Sequence, residues 1–141
     1  MSHRRRAHAG LGPTARGVVD YALARRATLF ALASGRMSPD EVCDAQPYLL
    51  RAARYHGESM GAPCPVCRRS GLVGVTYTYG DCFRGDVNGR ARRGVELDVL
   101  ASEFPEFSVY VVEVCVECRW NHLVTSYVLG TGEPARKRAR S

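Results

Sequence analysis

Two short cysteine motifs constrain this chain more than any other feature of its sequence. They are C-x-x-C pairs at residues 64–67 and 115–118, with 47 residues between them. Each pair brings two thiolates within reach of one metal ion, and Zn²⁺ in structural sites takes four such ligands in a tetrahedron. The spacing therefore predicts one structural Zn²⁺ site whose ligands are Cys64, Cys67, Cys115 and Cys118.

Two other uses of these cysteines fit the sequence less well. A thioredoxin-like redox pair needs a helix that starts at its first cysteine, whereas residues 68–71 lead into a predicted strand. A catalytic zinc site keeps an open position beside three protein ligands, whereas four thiolates close the coordination shell. No histidine or glutamate stands in a motif suited to activating water. We therefore expect a structural metal rather than a catalytic one.

His122 and the two remaining cysteines lie outside the two pairs. His122 follows the second pair closely, so we expect it to pack beside the metal or to replace one of its ligands. Cys43 is expected to be a small buried residue on a helix. Cys82 lies in a predicted Gly-Asp-Cys-Phe loop, where an exposed thiol would be open to oxidation.

The second half of the chain has the pattern of a β-sheet. Residues 72–79, 108–114 and 122–129 are rich in β-branched and aromatic side chains and predict three strands. Between the first two strands, a helical face that ends at Pro105 is predicted from Leu97, Leu100, Ala101 and Phe104. One cysteine pair precedes the first strand and the other separates the last two, which is the arrangement of a zinc ribbon.

The first half of the chain has the pattern of helices. One helix is predicted from Thr14 to about Ser34, and a second from about Gln46 to Tyr55, after a capping box at residues 38–41. Arg26 falls in the middle of the apolar face of the first helix. It either extends from a partly exposed stripe, forms a buried ion pair with an acid from the second half, or contacts a partner.

These elements predict an α+β fold in which an N-terminal helical hairpin packs on a C-terminal antiparallel zinc-ribbon-like sheet with a helix-containing insertion. The predicted segments are a basic arm at 1–13, helices at 14–60, the ribbon-like part at 61–130 and a basic tail at 131–141. The insertion covers residues 80–106. Residues 14–130 are expected to form one compact unit.

The net charge of +6 lies at the two ends of the chain. Residues 7–132 hold 13 basic and 13 acidic side chains, so we expect phosphate attraction mainly from the Arg-rich ends. One internal loop is basic and carries an aromatic ring. Its candidate contacts to nucleic acid or a protein partner are Phe83, Arg84, Arg90, Arg92 and Arg93.

The sequence also indicates a compartment. The longest apolar run, residues 29–33, is far shorter than the roughly 20 residues that span a bilayer, and no secretory signal is visible. We therefore expect a cytoplasmic protein with no membrane association and with reduced cysteines, which favours metal binding over disulfides.

Several longer stretches of the chain carry a family resemblance: residues 41–45, 47–53, 64–68, 111–115, 118, 120–124 and 126–130. In these stretches the chain resembles an uncharacterised family of small actinobacterial proteins. The resemblance implies a cytosolic actinobacterial origin and one zinc-ribbon-like unit. No activity and no binding site is carried over from a family of unknown function.

Together these features predict a non-enzymatic module stabilised by structural zinc. The sequence contains no phosphate-cradling glycine loop and no metalloprotease motif. We expect it to contact a protein of the transcription or translation machinery, with its basic ends assisting near nucleic acid. The alternatives are a protein adaptor with no nucleic-acid role and a zinc-thiolate redox switch.

Overall fold

An antiparallel sheet organises the structure, a computed structural model that describes residues 15–83 and 89–133. In these ranges the strands are β1 (Arg16–Asp20), β2 (Glu58–Pro63), β3 (Gly71–Tyr79), β4 (Arg90–Arg92), β5 (Phe107–Val114) and β6 (Asn121–Leu129). The helices are α1 (Ala22–Ala33), α2 (Pro39–Val42), α3 (Pro47–His56) and α4 (Gly94–Glu103). The predicted α+β class is confirmed.

The strands follow the order β1-β6-β5-β3, and β2 and β4 share the remaining edge of β3. β2 pairs with the first half of β3 and β4 with the second half. The three strands predicted from alternation are β3, β5 and β6, and they form the centre of the sheet. Their β-branched and aromatic side chains suit a sheet that is covered on both faces.

The N-terminal segment differs from its prediction, because residues predicted as helix from Thr14 form β1 instead. The free edge of β6 offers backbone hydrogen bonds to residues 16–20, a tertiary partner that no helical periodicity in the sequence reveals. Helix α1 begins only at Ala22, whose N–H donates to Asp20 Oδ1 at 2.8 Å. The segment 14–60 is therefore not wholly helical, since β2 also starts inside it.

Helix α1 also turns a different face inward from the one predicted. Leu29 and Leu32 pack against the buried cluster around Trp120, and Arg25 extends to Glu113 in β5. These three α1 residues share one helical stripe, and Arg26 lies about 100° away from it, on the exposed side. An ion pair with an acid from the second half does exist, but Arg25 forms it rather than Arg26.

Three clusters fill the interior. Val75 and Tyr77 of β3 pack against Ala52 and Ala53 of α3 on one face of the sheet. A second cluster on the other face joins the strands to α4 through Phe83, Leu97, Phe107, Val109, Tyr127 and Leu129. The third cluster surrounds the two cysteine pairs at one end of the sheet. None of the helices in the described ranges is both long enough and apolar enough to cross a membrane.

Candidate metal centre

The structure brings the four cysteines of the two pairs together at one end of the sheet. Their Sγ atoms all lie within 4.8 Å of one another. Two of the separations are 3.6 Å, between Cys64 and Cys118, and 3.7 Å, between Cys67 and Cys115. A tetrahedron with metal–sulfur bonds of about 2.3 Å has edges of about 3.8 Å. The four thiols therefore lie close enough together to hold one metal ion, and two of their separations match the edge of such a tetrahedron.

The topology of the sheet explains why the pairs meet. The first pair lies in the turn between β2 and β3, and the second lies in the turn between β5 and β6. Strands β3 and β5 are antiparallel neighbours, with Val73 opposite Val114, so the start of one adjoins the end of the other. Both cysteine turns are thus held at the same end of the sheet.

The two turns have the same backbone conformation. The N–H of Arg68 donates to the carbonyl of Cys64 at 3.1 Å, and the N–H of Arg119 donates to that of Cys115 at 2.8 Å. Both arginines have positive φ, 58° for Arg68 and 75° for Arg119. This left-handed conformation, which favours glycine, reverses the chain tightly enough for both sulfurs of a pair to face one point.

Backbone N–H groups in these turns point at the sulfur atoms. Cys64 Sγ accepts from Val66 and Cys67 at 3.3 and 3.5 Å, and Cys115 Sγ accepts from Cys118 at 3.4 Å. Cys67 Sγ accepts from the N–H of Arg69 at 3.4 Å. Such donors offset the negative charge of thiolates, so the turns are suited to ligands in the ionised state.

Burial acts against ionisation when no cation is present. It raises the pKa of the Cys64 and Cys115 thiols and raises the pKa of Cys118 to about 12. Only Cys67 is shifted the other way, because the N–H of Arg69 lowers its pKa to about 7. A bound divalent cation would compensate the buried charge, so metal binding at this cluster is coupled to release of thiol protons.

A fifth thiol adjoins this group and was missed by the sequence reasoning. Cys43, at the C-terminal end of α2, has its Sγ 3.6 Å from Cys118 Sγ. The segment after it is bound to the second turn, because Ala45 accepts hydrogen bonds from the guanidinium of Arg119 at 2.8 and 3.1 Å. No local pattern links Cys43 to the pairs, since a single cysteine carries no spacing signal.

Trp120 and His122 pack beside the centre. Trp120 is completely buried, and its indole N–H donates to Glu113 Oε2 at 2.7 Å. The His122 ring stacks on Trp120 with centroids 5.8 Å apart, and its Nδ1 lies 2.8 Å from the carbonyl oxygen of Leu123. Within the described ranges, the clustered ligand atoms are the four sulfurs, and His122 is not among them.

The predicted basic loop is divided by the fold. Phe83 is buried in the second cluster, and Arg92 lies over its ring at 5.6 Å and donates to Thr78 Oγ1 at 3.1 Å. Pairing of β4 with β3 turns Arg92 inward, and both side chains are buried. Their contact with a partner stays a prediction. Arg90 and Arg93 are exposed. Arg84 and nearly all of the two basic ends lie outside the described residues.

Cys82 is half-buried, and its thiol donates to the carbonyl of Glu106 at 3.4 Å. It packs against the second cluster, on α4's face of the sheet. The Cys82 side chain therefore packs against the core, and it does not lie in the sulfur group formed by the two pairs.

Residues 13–141 match the model of DUF5318, a family of unknown function. The chain belongs to this family. It is 52% identical over 118 residues to the uncharacterized proteins Rv0049 of Mycobacterium tuberculosis and Mb0050 of Mycobacterium bovis, covering 84% of this chain and 85% of each relative. No solved structure matches it significantly. The resemblance to an uncharacterised actinobacterial family is confirmed.

Proposed function

We propose that this DUF5318 protein is a non-enzymatic binding module whose fold is held by a structural Zn²⁺ on Cys64, Cys67, Cys115 and Cys118. One observation carries the proposal: four sulfurs lie within 4.8 Å of one another in two turns of the same conformation. Two such turns at the same end of neighbouring antiparallel strands support the proposal of a zinc-ribbon-like arrangement.

The chemistry of the donor set favours zinc in a structural role. Thiolates are soft ligands, and a tetrahedral four-sulfur site is typical of Zn²⁺ or of iron–sulfur chemistry. Four protein ligands leave no open position for water or substrate, which argues against a hydrolytic site. The ion would instead join the β2–β3 turn to the β5–β6 turn, so its binding free energy would add to the stability of the sheet.

The partner that we propose remains a protein of the transcription or translation machinery, with the Arg-rich ends assisting near nucleic acid. The charge distribution supports this role, because the excess positive charge lies at residues 1–6 and 133–140. The sheet, with the metal joining two turns at one of its ends, would supply the surface that contacts this protein.

Cys43 supports a second candidate function, a redox switch. A peroxide would oxidise the Cys118 thiolate to a sulfenic acid with release of water, and the Cys43 thiol would then displace a second water to form a disulfide. The metal would lose one ligand and leave. The 3.6 Å separation of the two sulfurs favours this pair over others that involve Cys43.

The metal proposal is tested on the full-length protein, purified without chelator. We expect about one zinc per chain by elemental analysis, which fits one four-thiolate site. Cys115→Ser should reduce the zinc content strongly and lower the melting temperature. Cys82→Ser is the control for zinc content, because Cys82 is a half-buried cysteine that lies outside the sulfur group. If Cys115→Ser keeps both its zinc and its stability, the proposal is wrong.

A further inference from the structure

A basic, aromatic cavity lies between α3, β4 and the start of α4, apart from the cysteines. Its volume is about 500 Å³. The side chains that give it chemical character, which we call the arginine–tyrosine groove, are Tyr48, Arg51, Tyr55, Arg90 and Arg93. All five are exposed. The fold brings together residues that lie about 40 positions apart in the chain.

The charge of the groove favours an anion. Arg51, Arg90 and Arg93 line it, together with His56 and the acidic residue Glu96. This carboxylate accepts the backbone N–H of Arg93 at 2.7 Å and so serves as a helix cap for α4. The guanidinium of Arg93 is held at the rim by donating to the carbonyl of Tyr55 at 3.3 Å. The guanidinium group of arginine presents its N–H donors in a planar fork, which suits phosphate oxygens.

The aromatic side chains extend the groove across the sheet. Tyr48 and Tyr55 are 56% and 68% exposed, and the Tyr48 ring stacks on Tyr77 with centroids 6.2 Å apart. Tyr77 also lines a second, open cavity of about 600 Å³, where Tyr79 meets Tyr110 edge to face at 5.7 Å. The Tyr48–Tyr77 contact therefore joins the arginine-lined cavity to a second group of tyrosine rings, in which Tyr79 is exposed, Tyr110 is half-buried and Tyr77 is buried.

We propose that the arginine–tyrosine groove binds single-stranded nucleic acid, with phosphates on the arginines and bases stacked on the tyrosines. Proteins that bind single strands combine a positive groove with aromatic platforms in this manner. Tyrosine faces stack on unpaired bases, which a duplex keeps inside its helix. Binding by the folded part is compatible with its balanced charge, because three arginines and one glutamate give the groove a local excess of positive charge.

The test uses full-length, zinc-loaded protein and a fluorescein-labelled oligothymidylate of about 12 nucleotides, within the range of typical single-strand sites. Fluorescence anisotropy is measured across a salt series. We expect Arg51→Gln to raise Kd about tenfold and to reduce the salt slope by about 0.7, the value for one phosphate contact on a single strand. Tyr55→Ala should raise Kd at least about fivefold with an unchanged slope.

Arg54→Gln is the matched control. Arg54 is also exposed and lies on α3, but it does not line the groove, so we expect less than about a twofold change in Kd. Zinc content and melting temperature are measured for every variant, so that loss of the metal centre is distinguished from loss of the groove.

Four results would overturn the proposal. The first is absence of binding at low salt, and the second is an equal loss of affinity for Arg51→Gln and Arg54→Gln. The third is equal affinity for duplex and single strand. The last is displacement of the oligonucleotide by oligoglutamate, together with no effect of Tyr55→Ala on Kd. The second would assign binding to long-range charge, and the last would indicate an acidic protein partner.

Discussion

The indole N–H of Trp120 donates to Glu113 Oε2 at 2.7 Å, inside the cluster that surrounds the two cysteine turns. The same oxygen accepts from Arg25 Nε at 2.7 Å, which attaches α1 to the centre of the sheet. Both Trp120 and Glu113 are buried. One carboxylate therefore accepts the hydrogen bond of the buried indole N–H and also forms the ion pair with Arg25. This network connects the N-terminal helix to the end of the sheet where the sulfurs meet.

Glu113→Ala should therefore destabilise the protein by about 3 kcal/mol, since it leaves the Trp120 N–H without its acceptor and removes the partner of Arg25. The Arg25 side chain is 31% exposed and can regain some hydration, which limits the loss. Urea unfolding followed by the fluorescence of Trp120, the only tryptophan, measures the effect.

The control for this change is Glu117→Ala. Glu117 forms an exposed ion pair with Arg69 at 3.6 Å, so we expect a loss below about 1 kcal/mol. Equal losses in the two variants would mean that the buried carboxylate has no special role.

The two arginines with positive φ should respond differently to glycine. Arg68→Gly relieves a left-handed conformation but adds flexibility to the unfolded chain, so we expect a change within about 1 kcal/mol. Arg119→Gly changes the backbone in the same two ways, and it also loses the hydrogen bonds from the Arg119 guanidinium to Ala45. It should be less stable than Arg68→Gly by about 1–3 kcal/mol.

Urea unfolding of the two variants, at equal zinc content, gives this difference directly. If both glycine variants have the same free energy of unfolding, the attachment of Ala45 to the second turn contributes nothing measurable.

Cys43→Ser separates the redox switch from simple oxidation of the metal ligands. If Cys43 and Cys118 form the disulfide, the wild type should release zinc under peroxide and recover it after reduction by a dithiol. In the serine variant Cys118 can still pair with Cys64, whose Sγ is also 3.6 Å away, so we expect zinc recovery to fall rather than to vanish. A colorimetric zinc indicator follows both steps, and non-reducing peptide mapping by mass spectrometry identifies the disulfide that forms. Absence of a Cys43–Cys118 disulfide from the oxidised wild type would exclude this switch.

Tyr77 should make stability depend on alkaline pH. Burial raises the pKa of Tyr77 from 10.0 to about 12, so the folded state favours the neutral phenol. Its contribution is fully present below pH 10 and is lost as the pH rises from 10 towards about 12, because the unfolded chain ionises first.

Tyr77→Phe removes this ionisation and should reduce the loss of stability over that interval. The free energy of unfolding in urea is compared for the two proteins below pH 10 and again near pH 12, the upper end of that interval. An identical loss in both would show that Tyr77 is not the group responsible, and Tyr127, whose pKa burial also raises, would be substituted next.

Predictions from the sequence succeeded where short-range patterns were sufficient. The alternating residues of β3, β5 and β6, the apolar face of α4 and the capping box before α2 depend on neighbours within a few positions. They failed at β1, whose partner β6 lies more than 100 residues away. Position in the chain likewise did not reveal that Phe83 and Arg92 face inward.

The sequence by itself determined which residues could bind a metal, because two C-x-x-C turns bring sulfurs together through local backbone geometry. It also determined the family, through 52% identity over 118 residues. Only the tertiary structure decided that Cys43 adjoins Cys118, that Arg25 rather than Arg26 pairs with Glu113, and that α3 and β4 form one groove. These contacts depend on how strands and helices pack across the chain, and side-chain spacing along the sequence carries no record of that packing.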